Sequence, residues 1–235
     1  MAGPGEMVSA LAKVLGVPEP TVAVHDRNLA IAGLRIKKGR GLSAARMTPR
    51  DVSNLLIAVM GSSMVRDTVE TVRSYSDLPL GTDLGLREVY KPHDPVTIYG
   101  IHEPQAHLWP FAVPELRQLS KEHTFGAALT GMISSAVDGS LQSAMNQLPN
   151  SAYLRFTFAG PVPGASIEIR IPQIAHDAKH YINPPLLRRK DSRPDKRQMT
   201  KIERMMREKY PIGDRRWHSE FSHDTIFAMG TLLNS

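Results

Sequence analysis

Two runs, "AYLRFTFAG" (residues 152–160) and "ASIEIRIP" (residues 165–172), alternate apolar and polar residues on either side of "GPVPG". Side chains on a strand alternate between its two faces, so period-two runs around a Pro- and Gly-rich turn read as a β-hairpin. Most of the other periodic stretches have helical spacing. The fold class expected is therefore α+β.

Helical stretches dominate the first third. Val8, Leu11, Ala12 and Leu15 recur at helical spacing and Gly16 ends the run. After the break "VPEPT", a second helix is expected from Pro20 to about Ala32, ended by Gly33. Thr48 reads as an N-cap, Pro49 as the first helical residue and Asp51 as the third, close to the positive end of the helix dipole. The apolar stripe Val52, Leu55, Leu56, Val59 and Met60 follows, and "MVRDTVETVRSY" extends the pattern. "SDLPLGTDLG" reads as a linker and places a boundary between a domain at 1–76 and another at 77–235.

The second domain is expected to hold a strand in "PVTIYGIH", one or two helices over residues 114–148, and the hairpin. A Pro- and charge-rich loop at 183–197, the basic helix "QMTKIERMMREKY" and the capped apolar helix "SHDTIFAMGTLL" complete it. Oligomerisation is assigned to this domain.

The 235 residues carry a net charge of +6 and no cysteine, which excludes disulfides and thiolate metal sites and fits a cytoplasmic setting. No stretch has the roughly 20 apolar residues of a membrane helix, and the N-terminus lacks the basic region of a signal peptide. The basic residues collect in two segments. Residues 1–50 hold Arg27, Arg35, Lys37, Lys38, Arg40, Arg46 and Arg50, and residues 179–216 hold the other group. Cations gathered in two places suit contact with a polyanion, and equally a solvated surface.

"LAKVLGVPEPTVAVHDRNLAIAGL" resembles the helix-turn-helix of bacterial and phage DNA-binding proteins. The resemblance rests on Leu11 and Ala12, on Leu15, Gly16 and Val17, on Thr21 and Val22, and on Leu29, Gly33 and Leu34. In winged variants a "GL" leads into a β-wing, and "RIKKGRG" stands at that place. The pattern departs from the family at two positions. Asp26 falls where an apolar core residue is usual and Val24 where a polar, base-reading residue is common, which leaves the phase of the helix open by one residue. Residues 8–60 are also similar to uncharacterised phage- or mobile-element-type proteins of alphaproteobacteria, a similarity that assigns no activity.

The resemblance implies an N-terminal winged helix-turn-helix followed by an α+β domain with a smaller sheet. Its implied function is sequence-specific double-stranded DNA binding by a transcriptional regulator that acts as a dimer, since one motif reads only a half-site. The residues expected at the DNA are Thr21, His25, Arg27 and Asn28 on the recognition helix, and Arg35, Lys37, Lys38, Arg40 and Arg46 on the wing. Arg and Asn read guanine and adenine bidentately, while wing cations meet phosphate or a narrow minor groove. Two alternatives stand beside this: a DNA-packaging component of small-terminase type, and an interaction protein that never touches DNA. No phosphate-binding loop, dinucleotide fingerprint, nucleophile elbow or HExxH motif is present, so no enzyme, cofactor or metal is expected. His176 and His180 with Asp177 form at most half a metal site.

Overall fold

A computed structural model describes residues 2–37, 46–83, 87–88, 119, 123–148, 152–171, 175–182, 204, 208 and 217–235. It begins with three helices. α1 (Pro4–Leu15) has Pro at its first position, and Glu6 Oε2 accepts the N–H of Gly3 at 2.7 Å. Gly16 closes it in the left-handed region at φ 66°, which a β-carbon would disfavour. Three residues later α2 (Glu19–Ile31) begins, and Gly33 at φ 73° follows its end. α3 (Pro49–Gly61) starts with the cap that the sequence predicts. Thr48 Oγ1 accepts from Asp51 N at 3.2 Å, and Asp51 Oδ2 accepts from Thr48 N at 2.9 Å.

The extension beyond α3 is not one continuous helix. Extended backbone at Ser62 and Met64 and one 3₁₀ turn (Val65–Asp67) precede α4 (Thr68–Ser76). The segment read as a linker enters the sheet at once, as β1 (Leu80–Asp83). The remaining elements are β2 (Arg87–Glu88), α5 (Phe125–Val137), α6 (Ser140–Asn146), β3 (Tyr153–Gly160), β4 (Gly164–Ile171), β5 (Ala175–Ile182), β6 (Trp217–Ser222) and α7 (His223–Asn234). The strand expected at 95–102 and the loop expected at 183–197 lie outside the described residues. Within the expected basic helix, Arg204 and Glu208 are described; both are helical, and Arg204 Nε donates to Glu208 Oε1 at 2.9 Å.

The α+β class is borne out. The strands pair antiparallel in the order β1-β5-β4-β3-β6, with β2 also paired to β5. The expected hairpin is β3 and β4, in register from Tyr153 opposite Arg170 to Ala159 opposite Gly164. Leu154, Phe156 and Phe158 of β3 are fully buried, while Tyr153, Arg155 and Thr157 between them are half-buried. Phe158 meets Phe125 of α5 with ring centroids 5.3 Å apart, and Tyr181 of β5 meets the same ring at 5.3 Å. The bond between Gly160 and Pro161 is cis. A β-carbon at Gly160 would overlap the indole of Trp217, so this glycine lets β6 close over the end of β3.

Residues from the first helices to the last share one hydrophobic core. Met7 and Leu11 of α1, Leu55 and Leu56 of α3, Leu129 and Met132 of α5, and Ile226 and Met229 of α7 are all sealed from solvent. Each such side chain contributes about 1.5–3 kcal/mol relative to exposure. Tyr75 Oη, in the last turn of α4, donates to the carbonyl of Ala159 on β3. Ser219 Oγ on β6 donates to the carbonyl of Met60 on α3. The boundary expected at 76/77 therefore falls where helices and sheet are bonded directly to one another.

Candidate nucleic-acid interface

The phase of α2 decides which side chains a partner can reach. Val22, His25, Asp26, Leu29 and Ala30 face inward and are buried. Ala23, Val24, Arg27 and Ile31 are exposed. Asp26 thus occupies the inward position that the resemblance assigns to an apolar residue. Its charge is met by Arg35, whose Nη2 donates to Asp26 Oδ2 at 3.0 Å. Arg35 Nε lies 2.6 Å from Oδ1, an ionic contact off the line of a hydrogen bond. Both side chains are largely buried, at 12% and 11% exposure. Burial pushes the Asp26 carboxyl above its ordinary value; Arg35 pulls it back, and the nearby Asp51 charge pushes it further up.

His25 is buried beside Thr68, with Nδ1 2.8 Å from the hydroxyl. Thr68 Oγ1 donates its one proton to the Val65 carbonyl, so Nδ1 of His25 carries the hydrogen and donates to Thr68. Burial lowers the His25 pKa from 6.5, favouring the neutral ring. Asn28 Nδ2 donates to the same Val65 carbonyl at 2.9 Å. The side chains of His25, Asn28 and Arg35 are thus engaged with the protein itself, tying α2 to the turn before α4 and to the chain beyond Gly33. Among the expected α2 contacts, Arg27 is exposed and Thr21 half-buried in the first turn.

The basic connector between α2 and α3 leaves and returns at fixed points. Asn54 Nδ2 donates to the Leu34 carbonyl at 2.8 Å, and Ile36 N donates to Asp51 Oδ1 at 3.1 Å. On the returning side, Met47 N donates to the Ala2 carbonyl at 3.1 Å, and the Met47 side chain is buried. Lys37 is exposed just beyond the first anchor and Arg46 just before the second, with Arg50 exposed in the first turn of α3. Residues 34–37 and 46–48 form no strand, so the β-wing finds no support in these ends of the connector. Lys38 and Arg40 lie outside the described residues.

Asp51, Asn54 and Thr68 hold this region together, yet the sequence does not mark them as site residues. Asp51 alone carries a signal, its capping position, and that signal speaks for one of its two carboxylate oxygens. His176 and His180 both fall on β5, opposite Arg170 and Ser166 of β4. Among the described residues no group of three or more histidine or acidic side chains is placed to hold a metal ion, and no helix is long and apolar enough to cross a membrane. No known protein family, curated protein or solved structure matches the chain.

Proposed function

We propose that the chain binds double-stranded DNA, as a regulator of transcription, and that it does so mainly through phosphates. The observation that carries this reading is the anchoring of the basic connector. Ile36 is bonded to Asp51 on one side and Met47 to Ala2 on the other, with exposed Lys37 and Arg46 next to the anchors. Anchored ends reduce the ordering needed when a cationic loop meets a polyanion. Arg27 is the exposed cation of α2 and the candidate for a base edge, with Thr21 beside the helix start. With His25 buried and Asn28 bonded to the Val65 carbonyl, direct readout rests on few side chains, so affinity is expected to exceed specificity. The test is titration of a labelled duplex at several salt concentrations. Binding that weakens steeply with salt supports the reading, and absence of binding at low salt removes it.

A second reading, an assembly or DNA-packaging component, is favoured by one specific observation. Val24 and Ile31, seven residues apart on one face of α2, are 41% and 66% exposed. Apolar residues on that face suit a protein surface better than a groove of DNA. A defined higher oligomer in solution would favour this reading over the regulator.

A further inference from the structure

β6 ends the sheet. Among the described residues it pairs with β3 along one edge and with no strand along the other. Natural sheets usually protect such an edge with proline, charged side chains (lysine above all) or a bulge. β6, "WHSEFS", contains no proline or lysine and a single carboxylate, Glu220, and its pairing with β3 runs without a break from Gly160 opposite Trp217 to Arg155 opposite Ser222. We propose that this edge pairs antiparallel with β6 of a second copy of the chain, about a two-fold axis at Ser219, joining two sheets into one.

The choice of partner follows from the order of side chains along the strand. Antiparallel self-pairing centred on Ser219 sets His218 opposite Glu220 of the second copy, and Glu220 opposite its His218. Directly opposed residues share a face of the sheet, and both of these side chains are exposed. A histidine and a carboxylate bond in either charge state of the ring. The same register sets Trp217 opposite Phe221, an aromatic pair on the other face. Each favourable pair occurs twice because the interface is isologous. Among the described residues, Glu220 meets a long contact, 3.6 Å, from Arg155 Nη1, and its side chain is 49% exposed. This assembly does not depend on the DNA-binding reading and can fail or stand without it.

Sedimentation of the full chain over a dilution series tests the pairing. The expected result is a monomer–dimer equilibrium in the unaltered protein. H218E sets carboxylates face to face twice and is expected to weaken the dimer about tenfold or more, while E220K removes both histidine–carboxylate pairs and is expected to weaken it to a lesser degree. The double variant H218E/E220K restores opposite charges at every such pair and should recover the dimer. Circular dichroism establishes that each variant is folded. The proposal is overturned by a monomer at every concentration, by a dimer indifferent to both single substitutions, or by loss in both without recovery in the double variant.

Discussion

Arg35 reaches back to Asp26, nine residues earlier, and closes a buried ion pair beneath the point where the basic connector departs. The pair explains how a carboxylate can sit on the inward face of α2 and why an arginine expected at the DNA is turned away from it. Removing one partner of a largely buried pair leaves the other charge uncompensated, at a cost of about 3 kcal/mol or more. Asp26→Asn is therefore expected to shift the chemical unfolding midpoint strongly downward. The joint replacement Asp26→Leu with Arg35→Met should cost much less, since no charge is stranded. Equal losses in the two proteins would show that the pair does more than neutralise itself.

His25 introduces a dependence on pH with a definite sign. Its folded-state pKa lies below 6.5, so between the two values the unfolded chain binds more protons than the folded one. Stability contributed by the neutral ring is present above 6.5 and is lost as the pH falls through the folded pKa. Asp26 acts in the opposite sense. Its folded pKa is raised above 3.8, so stability from that carboxyl declines as the pH rises through its window. Thermal melts from about pH 7.5 to about pH 5 should show a falling midpoint, as expected for a group titrating in this range. His25→Gln, whose amide can still donate to Thr68, should flatten that slope. An unchanged slope would assign the titration to another group.

Local signals were the legible part of this sequence. The cap of α3 could be read because Thr48, Pro49 and Asp51 lie within one turn, and the hairpin because Phe156, Phe158, Ile167 and Ile169 alternate with polar neighbours. The inward turn of His25 was not legible, because its partner Thr68 is 43 residues away. Asp26 could be recognised as anomalous, but its resolution by Arg35 needed the chain to fold back beyond Gly33. β1 and β6 were illegible for another reason. "LGTD" is short, and "WHSEFS" is an edge strand whose inner face carries Phe221 and the half-buried Trp217 with a serine between them, too short a run to read as alternation.

The last helix belongs to the protein's own core. Ile226 and Met229 are fully buried and Leu233 nearly so, and α7 crosses α5 so closely that a β-carbon at Gly230 would lie 2.7 Å from Ala136 Cβ. Deletion of residues 222–235 is accordingly expected to give an unfolded or aggregated product rather than a folded monomer. Ile226→Ala should cost about 2–5 kcal/mol, the usual range for truncating a buried aliphatic side chain. Circular dichroism with light scattering would separate these outcomes. A folded, soluble truncation product would mean that α7 is dispensable to the core.

The connector carries the functional reading, and the salt dependence of its variant tests that reading most directly. Lys37, Lys38 and Arg40 are replaced together by alanine, and duplex binding is measured by fluorescence anisotropy across a salt series. The expected result is weaker binding to every DNA sequence, with the slope of log affinity against log salt reduced by about 0.9 for each phosphate that the variant no longer neutralises. The melting midpoint should stay close to that of the unaltered protein, because the anchors at Asp51, Asn54 and Ala2 are untouched. A variant that binds DNA as tightly as the parent, with the same slope, would contradict phosphate binding by the connector.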